Sequence, residues 1–308
     1  MSNSQPQPSP QQPLNLSDIL PYQEAFNPKL YSQGLAKFLL FFALFPMVLS
    51  WLTNLTGVGG SLRQTAGFLG IYYACMWGVI LHDLIKPYRF SWSNTITCVT
   101  FTALVGIPID VLLQQIPPFN FLYGGIDRGG IPTLIGFVFG VGVLEEFVKA
   151  LPVYLFLIRP GKVTDPYTAA FYGAMSGLGF AISEGVNYSM QYAMGLGEGI
   201  TATFFGYAEP SNLLGEYLLV STIRFICLPL FHAIWAGIFG YFLGLSAISN
   251  SRKTTIILIG WTIPAVLHGF YNTFAETAIG LLVMAFSILL FLTYLRNGQK
   301  MISQTLKQ

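Results

Sequence analysis

The chain has 308 residues, of which 53% are hydrophobic and 9% charged, with a formal net charge of +2. A soluble domain carries about 25% charged residues, so this composition excludes a water-soluble enzyme and a disordered protein and leaves an integral membrane protein. The small net charge gives no footprint for nucleic acid, and Cys75, Cys98 and Cys227, all in apolar stretches, read as small buried hydrophobes.

Residues 1–35 form a Pro/Gln-rich tail that is predicted to be disordered and cytoplasmic. No Lys or Arg precedes Lys29, which argues against a signal peptide. A membrane helix needs about 20 mostly apolar residues. Apolar runs of that order follow at 36–53, 66–83, 95–115, 131–158, 167–195, 216–246, 254–274 and 276–295. They predict an all-α, polytopic transmembrane bundle of about eight helices, because an open strand edge in lipid leaves backbone groups unpaired. Three helices fall in 36–130, a core in 131–275, and the last helix with a cytoplasmic tail in 276–308.

Basic residues orient such a bundle. With the N-terminus inside, the cytoplasmic side receives Lys29, Lys37, Lys86, Arg89, Arg159, Lys162, Arg252, Lys253, Arg296, Lys300 and Lys307, and the far side only Arg63 and Arg128. Both termini are therefore expected to be cytoplasmic. The far-side loop near 196–216 carries Glu198, Glu209 and Glu216 and no basic residue.

Ionisable residues interrupt the later runs: Glu145, Glu146, Lys149, Glu184, Arg224, His232 and His268. A charge at a helix centre costs about 2.5–3.5 kcal/mol on insertion scales, so each is a functional hypothesis by default. At about 1.5 Å per residue, Glu145, Glu184, His232 and His268 all lie roughly 20–25 Å from the cytoplasmic end of their runs. Four helices then contribute to one polar layer. Lys149 can pair with Glu145 at i,i+4 or with Glu146 at i,i+3, while His268 and Asn272 share a face, as do Glu184 and Tyr188. Blander readings stand beside this. The Glu–Lys pair can hold helices in register, His232 can be a hydrogen-bonded packing residue, Glu184 can bridge to Arg224, and His82 beside Asp83 is interfacial.

The layer suits peptide hydrolysis, which needs an activated water and a stabilised oxyanion. Glu145 is the candidate general base, Glu146 orients its helix, and Lys149 keeps the pair charged. His232 holds the water, and His268 with Asn272 faces the oxyanion. No HExxH, GxSxG or membrane Asp pair occurs.

Four segments in order resemble the motifs of the PrsW-type intramembrane proteases, within the CAAX-prenyl-protease-like and bacteriocin-processing superfamily. EExxK is matched by Glu145, Glu146 and Lys149, and FExxxY in part by Glu184 and Tyr188. His232 with its following glycines is the third, and HxxxN the fourth, as His268 and Asn272. The residue before Glu184 is Ser183 rather than Phe, and Phe180 is the aromatic available in its place. The resemblance implies a membrane-embedded endopeptidase of the bacterial plasma membrane, acting on a membrane protein or membrane-anchored peptide. The family is associated with site-1 cleavage of anti-sigma factors in regulated intramembrane proteolysis. Its members have been called metalloproteases, and Glu145, His232 and His268 are a possible zinc ligand set. A water held by the same residues without metal is the alternative. Two further readings remain: a non-catalytic membrane scaffold of the same fold, against which the retained glutamates argue, and a proton-coupled transporter, against which the lack of a repeat argues.

Overall fold

A computed structural model describes residues 37–38, 40–45, 47–48, 62–195, 223–249, 251–275 and 277–305. The chain divides into two compact units, Met1–Gly59 and Gly60–Gln308. In the first, the described residues are helical, and the rings of Phe38 and Phe42 pack with centroids 4.5 Å apart. The N-terminal tail and the loop near 196–216 fall outside the described residues.

The second unit is built from long helices: α1 (Leu62–Ile85), α2 (Trp92–Gln114), α3 (Gly130–Ile158), α4 (Pro166–Gly195), α5 (Leu228–Ile248), α6 (Lys253–Phe274) and α7 (Ala278–Thr305). No strand occurs among the described residues. The all-α polytopic bundle expected from sequence is the fold observed. Among the described residues, six helices are long and apolar enough to cross a membrane, namely α1, α2, α3, α5, α6 and α7. Their outward faces carry large apolar side chains such as Leu104, Leu112, Leu281 and Leu289. α7 continues past the apolar run through Arg296 and Lys300, because such residues suit a helix that has left the lipid.

α4 differs in kind. Every residue from Pro166 to Ala181 is buried. A helix surrounded by other helices needs small side chains rather than lipophilic ones, and α4 supplies them in the run GAMSGLG. Gly173 faces the carbonyl of Ala236 on α5, and Gly177 that of His232. A Cβ at Gly177 would fall on the His232 carbonyl, so α4 and α5 touch backbone to backbone there. From His232 to Gly244, α5 is likewise wholly buried.

Among the described residues the helices are locally widened into π turns at Thr102–Gly106 in α2, Gly136–Gly142 and Tyr154–Ile158 in α3, and Ile223–Cys227 before α5. Pro108 and Pro229 lie just after the first and last of these, and each removes a backbone donor that a regular helix would use.

One end of the bundle gathers the basic connections. Tyr167 at the start of α4 donates its hydroxyl to the carbonyl of Ile85 at the end of α1, and Gln299 of α7 donates to that hydroxyl at 2.7 Å. Tyr172 donates to the Arg89 carbonyl at 2.8 Å, and Gly244 near the end of α5 packs on Asp165 and Pro166. Lys86, Arg89, Arg159, Lys162, Arg252 and Lys253 therefore belong to the same end.

Candidate active site

The site grows from one turn of α3. The π turn at Gly136–Gly142 ends three residues before Glu145, and Gly142 lets α3 approach the Ala265 carbonyl of α6 without a side chain between them. Trp261 of α6 donates Nε1 to the Val143 carbonyl at 2.9 Å. On the other flank Ser176 of α4 donates to the Lys149 carbonyl at 2.6 Å, and its hydroxyl meets that of Thr102 on α2, also at 2.6 Å. α3 is thus fixed at both ends of its charged turn.

Lys149 is fully buried and donates to both glutamates, at 3.3 Å to Oε2 of Glu145 and 2.8 Å to Oε1 of Glu146. The i,i+3 and i,i+4 alternatives left open by spacing are both realised. The ammonium also lies 2.8 Å from Nδ1 of His232 on α5 and 4.4 Å from the centre of the Phe180 ring on α4. An ammonium can only donate, so Nδ1 of His232 accepts. Nε2 of His232 approaches Oε2 of Glu184 on α4 to 2.6 Å, an ion-pair distance without the alignment of a hydrogen bond.

His268 on α6 closes the arrangement. Its Nδ1 lies 3.0 Å from Oε1 of Glu146, and its Nε2 lies 3.7 Å from Oε2 of Glu145. A carboxylate accepts, so Nδ1 carries the proton and Nε2 presents a lone pair toward Glu145. The indole of Trp235 stacks on the imidazole at 4.4 Å and 16°, and is held by its own bond to Ser287 of α7 at 3.1 Å. Leaving a charge alone in the interior costs several kcal/mol. Here the two carboxylates share one ammonium and one imidazole, which is why four helices can carry ionisable groups into one place.

Of the residues selected from sequence, Glu145, Glu146, Lys149, Glu184, His232 and His268 come together in this cluster. Asn272 lies one turn beyond His268, half-buried, with no side-chain hydrogen bond among the described residues. The side chains of Arg224 and Tyr188 lie outside the described residues. Glu145 is 7% exposed where Glu146 is fully enclosed, so the former is the less enclosed carboxylate of the pair. Trp235, Ser176 and Asp110 are absent from the residues the motifs select. For Trp235 a signal exists in its i,i+3 spacing from His232. For Asp110 it is a lone carboxylate within the apolar run of α2, masked by its nearness to the polar pair Gln114 and Gln115.

One carboxylate oxygen and two imidazole nitrogens, from Glu145, His232 and His268, lie within 4.8 Å of one another. This is a donor set that catalytic zinc accepts. His268 has the tautomer of a ligating histidine, its second nitrogen tied to a carboxylate. His232 carries its ring proton on Nε2 while Nδ1 accepts from Lys149, so ligation through Nε2 would require Lys149 to release Nδ1 and the proton to move there. The residues fit a metal ion.

The family described as PrsW family intramembrane metalloprotease matches the chain over residues 91–295. Protease PrsW of Shouchella clausii is 28% identical over 131 residues, 42% of this chain and 50% of that protein. Protease PrsW of Geobacillus kaustophilus is 26% identical over 130 residues, 42% of this chain and 47% of its own. Protease PrsW of Oceanobacillus iheyensis is 26% identical over 193 residues, 62% and 74% respectively. The chain spans about half the length of the first two of these relatives. No solved structure matches it.

Proposed function

The chain belongs to the PrsW family of intramembrane metalloproteases, and from that premise we propose that it hydrolyses a peptide bond of a membrane-protein substrate at the cluster of Glu145, Glu146, Lys149, His232 and His268. The observation that carries this reading is the geometry around Glu145. It is the less enclosed of the two glutamates, it faces a histidine lone pair at 3.7 Å, and it accepts from Lys149 at 3.3 Å. A general base needs an ionised form and access to water; the Lys149 ammonium favours the first and the lesser enclosure of Glu145 the second.

Glu145 takes the proton of the attacking water. Glu146, committed to Lys149 and His268, holds their geometry rather than reacting. His268 uses its bare Nε2 to orient the water. That protonation pattern argues against the oxyanion role expected for it from sequence, because a lone pair cannot donate. Asn272, whose side chain has no hydrogen bond among the described residues, is then the donor assigned to the oxyanion, and His232 with Glu184 forms the far wall. Glu145, His232 and His268 would also hold a metal ion, which when bound supplies Lewis acidity and an acidified water. The basic end of the bundle is assigned to the cytoplasm, with both termini there. The association with anti-sigma-factor cleavage in regulated intramembrane proteolysis is a proposal of the same standing.

The experiment is a comparison of protein N-termini in membranes of cells with and without this protein. New termini within or beside membrane spans are expected only in its presence. Identical sets of termini would favour the scaffold reading.

A further inference from the structure

Asp110 of α2 is 4% exposed, in an otherwise apolar helix. Gln114, one turn on, donates Nε2 to Oδ2 at 2.7 Å, while Oδ1 is buried and has no hydrogen-bond partner among the described residues. A buried carboxylate oxygen without a donor is costly to retain.

Its place on α2 is fixed by neighbouring contacts. Phe101 meets Phe156 at 5.4 Å, and Gly106 packs on Val148, so α2 and α3 run antiparallel at close range. Residues four apart share a helix face, so Asp110 follows Gly106 on the face toward α3. One turn beyond Val148 in the opposite direction stands Glu145. On α4, Gly179 packs on Val99 and Ser183 donates to the Ala103 carbonyl at 2.6 Å, so the two helices run parallel and Glu184 approaches the same region. Asp110 interacts electrostatically with Lys149, Glu145 and Glu184. A π turn ends four residues before Asp110, as others end just before Glu145 and His232. Such turns re-aim the residues that follow them.

Resting on the peptidase reading, we propose that Asp110 is a substrate-contacting residue, whose free Oδ1 takes a hydrogen bond from a donor on the bound peptide close to the scissile bond. The donor is either a main-chain N–H of an extended segment or a Lys or Arg side chain. Gln114 is a positioning residue that holds Oδ2 and turns Oδ1 to the substrate. Peptides that bring the donor satisfy the buried oxygen, and peptides that lack it leave it bare, which is how a site of this kind discriminates.

The test uses the full chain in liposomes with a pool of synthetic single-span peptides, cuts being mapped by mass spectrometry and Glu145→Gln serving as the blank. Cleaved peptides are remade with backbone N-methylation at successive positions, or with norleucine in place of Lys and Arg. Asp110→Leu is expected to raise KM about 10- to 100-fold, with kcat changed far less. If the donor is a main-chain N–H, N-methylation at one position raises the wild-type KM similarly and adds nothing in Asp110→Leu. Asp110→Asn, which keeps an acceptor oxygen, is then milder. If the donor is a basic side chain, Asp110→Asn is impaired as much as Asp110→Leu, and norleucine erases the difference from wild type. Asp110→Ala, which removes both oxygens without adding bulk, takes the place of the leucine variant in both peptide series if the latter misfolds. Unchanged KM for every peptide, or losses of kcat and thermal stability that do not depend on the peptide, would overturn the inference while leaving the peptidase reading intact. A wild-type protein as silent as the blank would instead contradict the peptidase reading and this inference with it.

Discussion

Nδ1 of His268 lies 3.0 Å from Oε1 of Glu146 although the two residues are 122 positions apart, so α6 is keyed to α3 through the wholly enclosed carboxylate of the glutamate pair. The same oxygen receives Lys149 at 2.8 Å. Glu146 is therefore the structural centre of the cluster, and Glu145 is its less enclosed edge.

The two glutamates are expected to separate experimentally. Removing one partner of a buried ion pair costs about 3–5 kcal/mol, so Glu146→Gln lowers the thermal midpoint of the detergent-purified protein markedly. Glu145→Gln lowers it much less, because the neighbouring carboxylate still satisfies Lys149. Equal midpoints for the two variants would place the structural role elsewhere.

Lys149→Met leaves two carboxylates facing each other without their cation and is expected to reduce the folded yield. In the double variant Glu146→Gln, Lys149→Met, part of that loss returns. A double-mutant cycle should give a coupling energy in the range of about 0.5–3 kcal/mol. Strict additivity would mean that the 2.8 Å contact contributes nothing to folding.

The contact of α4 with the carbonyl of His232 predicts a steric requirement at Gly177. Gly177→Ala forces the two backbones apart and is expected to destabilise by about 1–3 kcal/mol, with a loss of peptide cleavage as His232 is displaced. Gly78→Ala is the control, since its Cβ would meet only side-chain atoms of Leu178 and Met175 at 3.8 Å. Thermal midpoints and cleavage rates of the two variants check this. Equal tolerance at both positions would contradict it.

Zinc binding is expected to require the three donors together. Calorimetric titration of the purified protein should show one site, lost in His268→Ala and in His232→Ala and retained in Asn272→Ala. Binding that survives both histidine substitutions would remove Glu145, His232 and His268 as the ligand set.

The fold was legible from sequence because lipid imposes a length and a composition on each spanning helix. The ends of α3 and α6 fall within a residue of the apolar runs 131–158 and 254–274. The polar layer was legible for a related reason, since a charge in an apolar run must find a partner, and the i,i+3 and i,i+4 spacing named Lys149. What spacing cannot convey is which faces meet. The stacking of Trp235 on His268, the chain from Thr102 through Ser176 to the Lys149 carbonyl, and the approach of Asp110 all depend on helix rotation and crossing. That rotation is altered by π turns which apolar periodicity does not register. The burial of α4 was hidden too. The run 167–195 read as one spanning helix among eight, whereas its glycines and serines mark a helix enclosed by others.

The most direct measurement is peptide cleavage by the Glu145→Gln variant, reconstituted at the same abundance as wild type and checked for the same thermal midpoint. Loss of the general base should lower the cleavage rate about 10²–10⁴-fold in a protein that is otherwise intact. Cleavage at the wild-type rate by a well-folded Glu145→Gln protein would contradict a glutamate-activated water at this site.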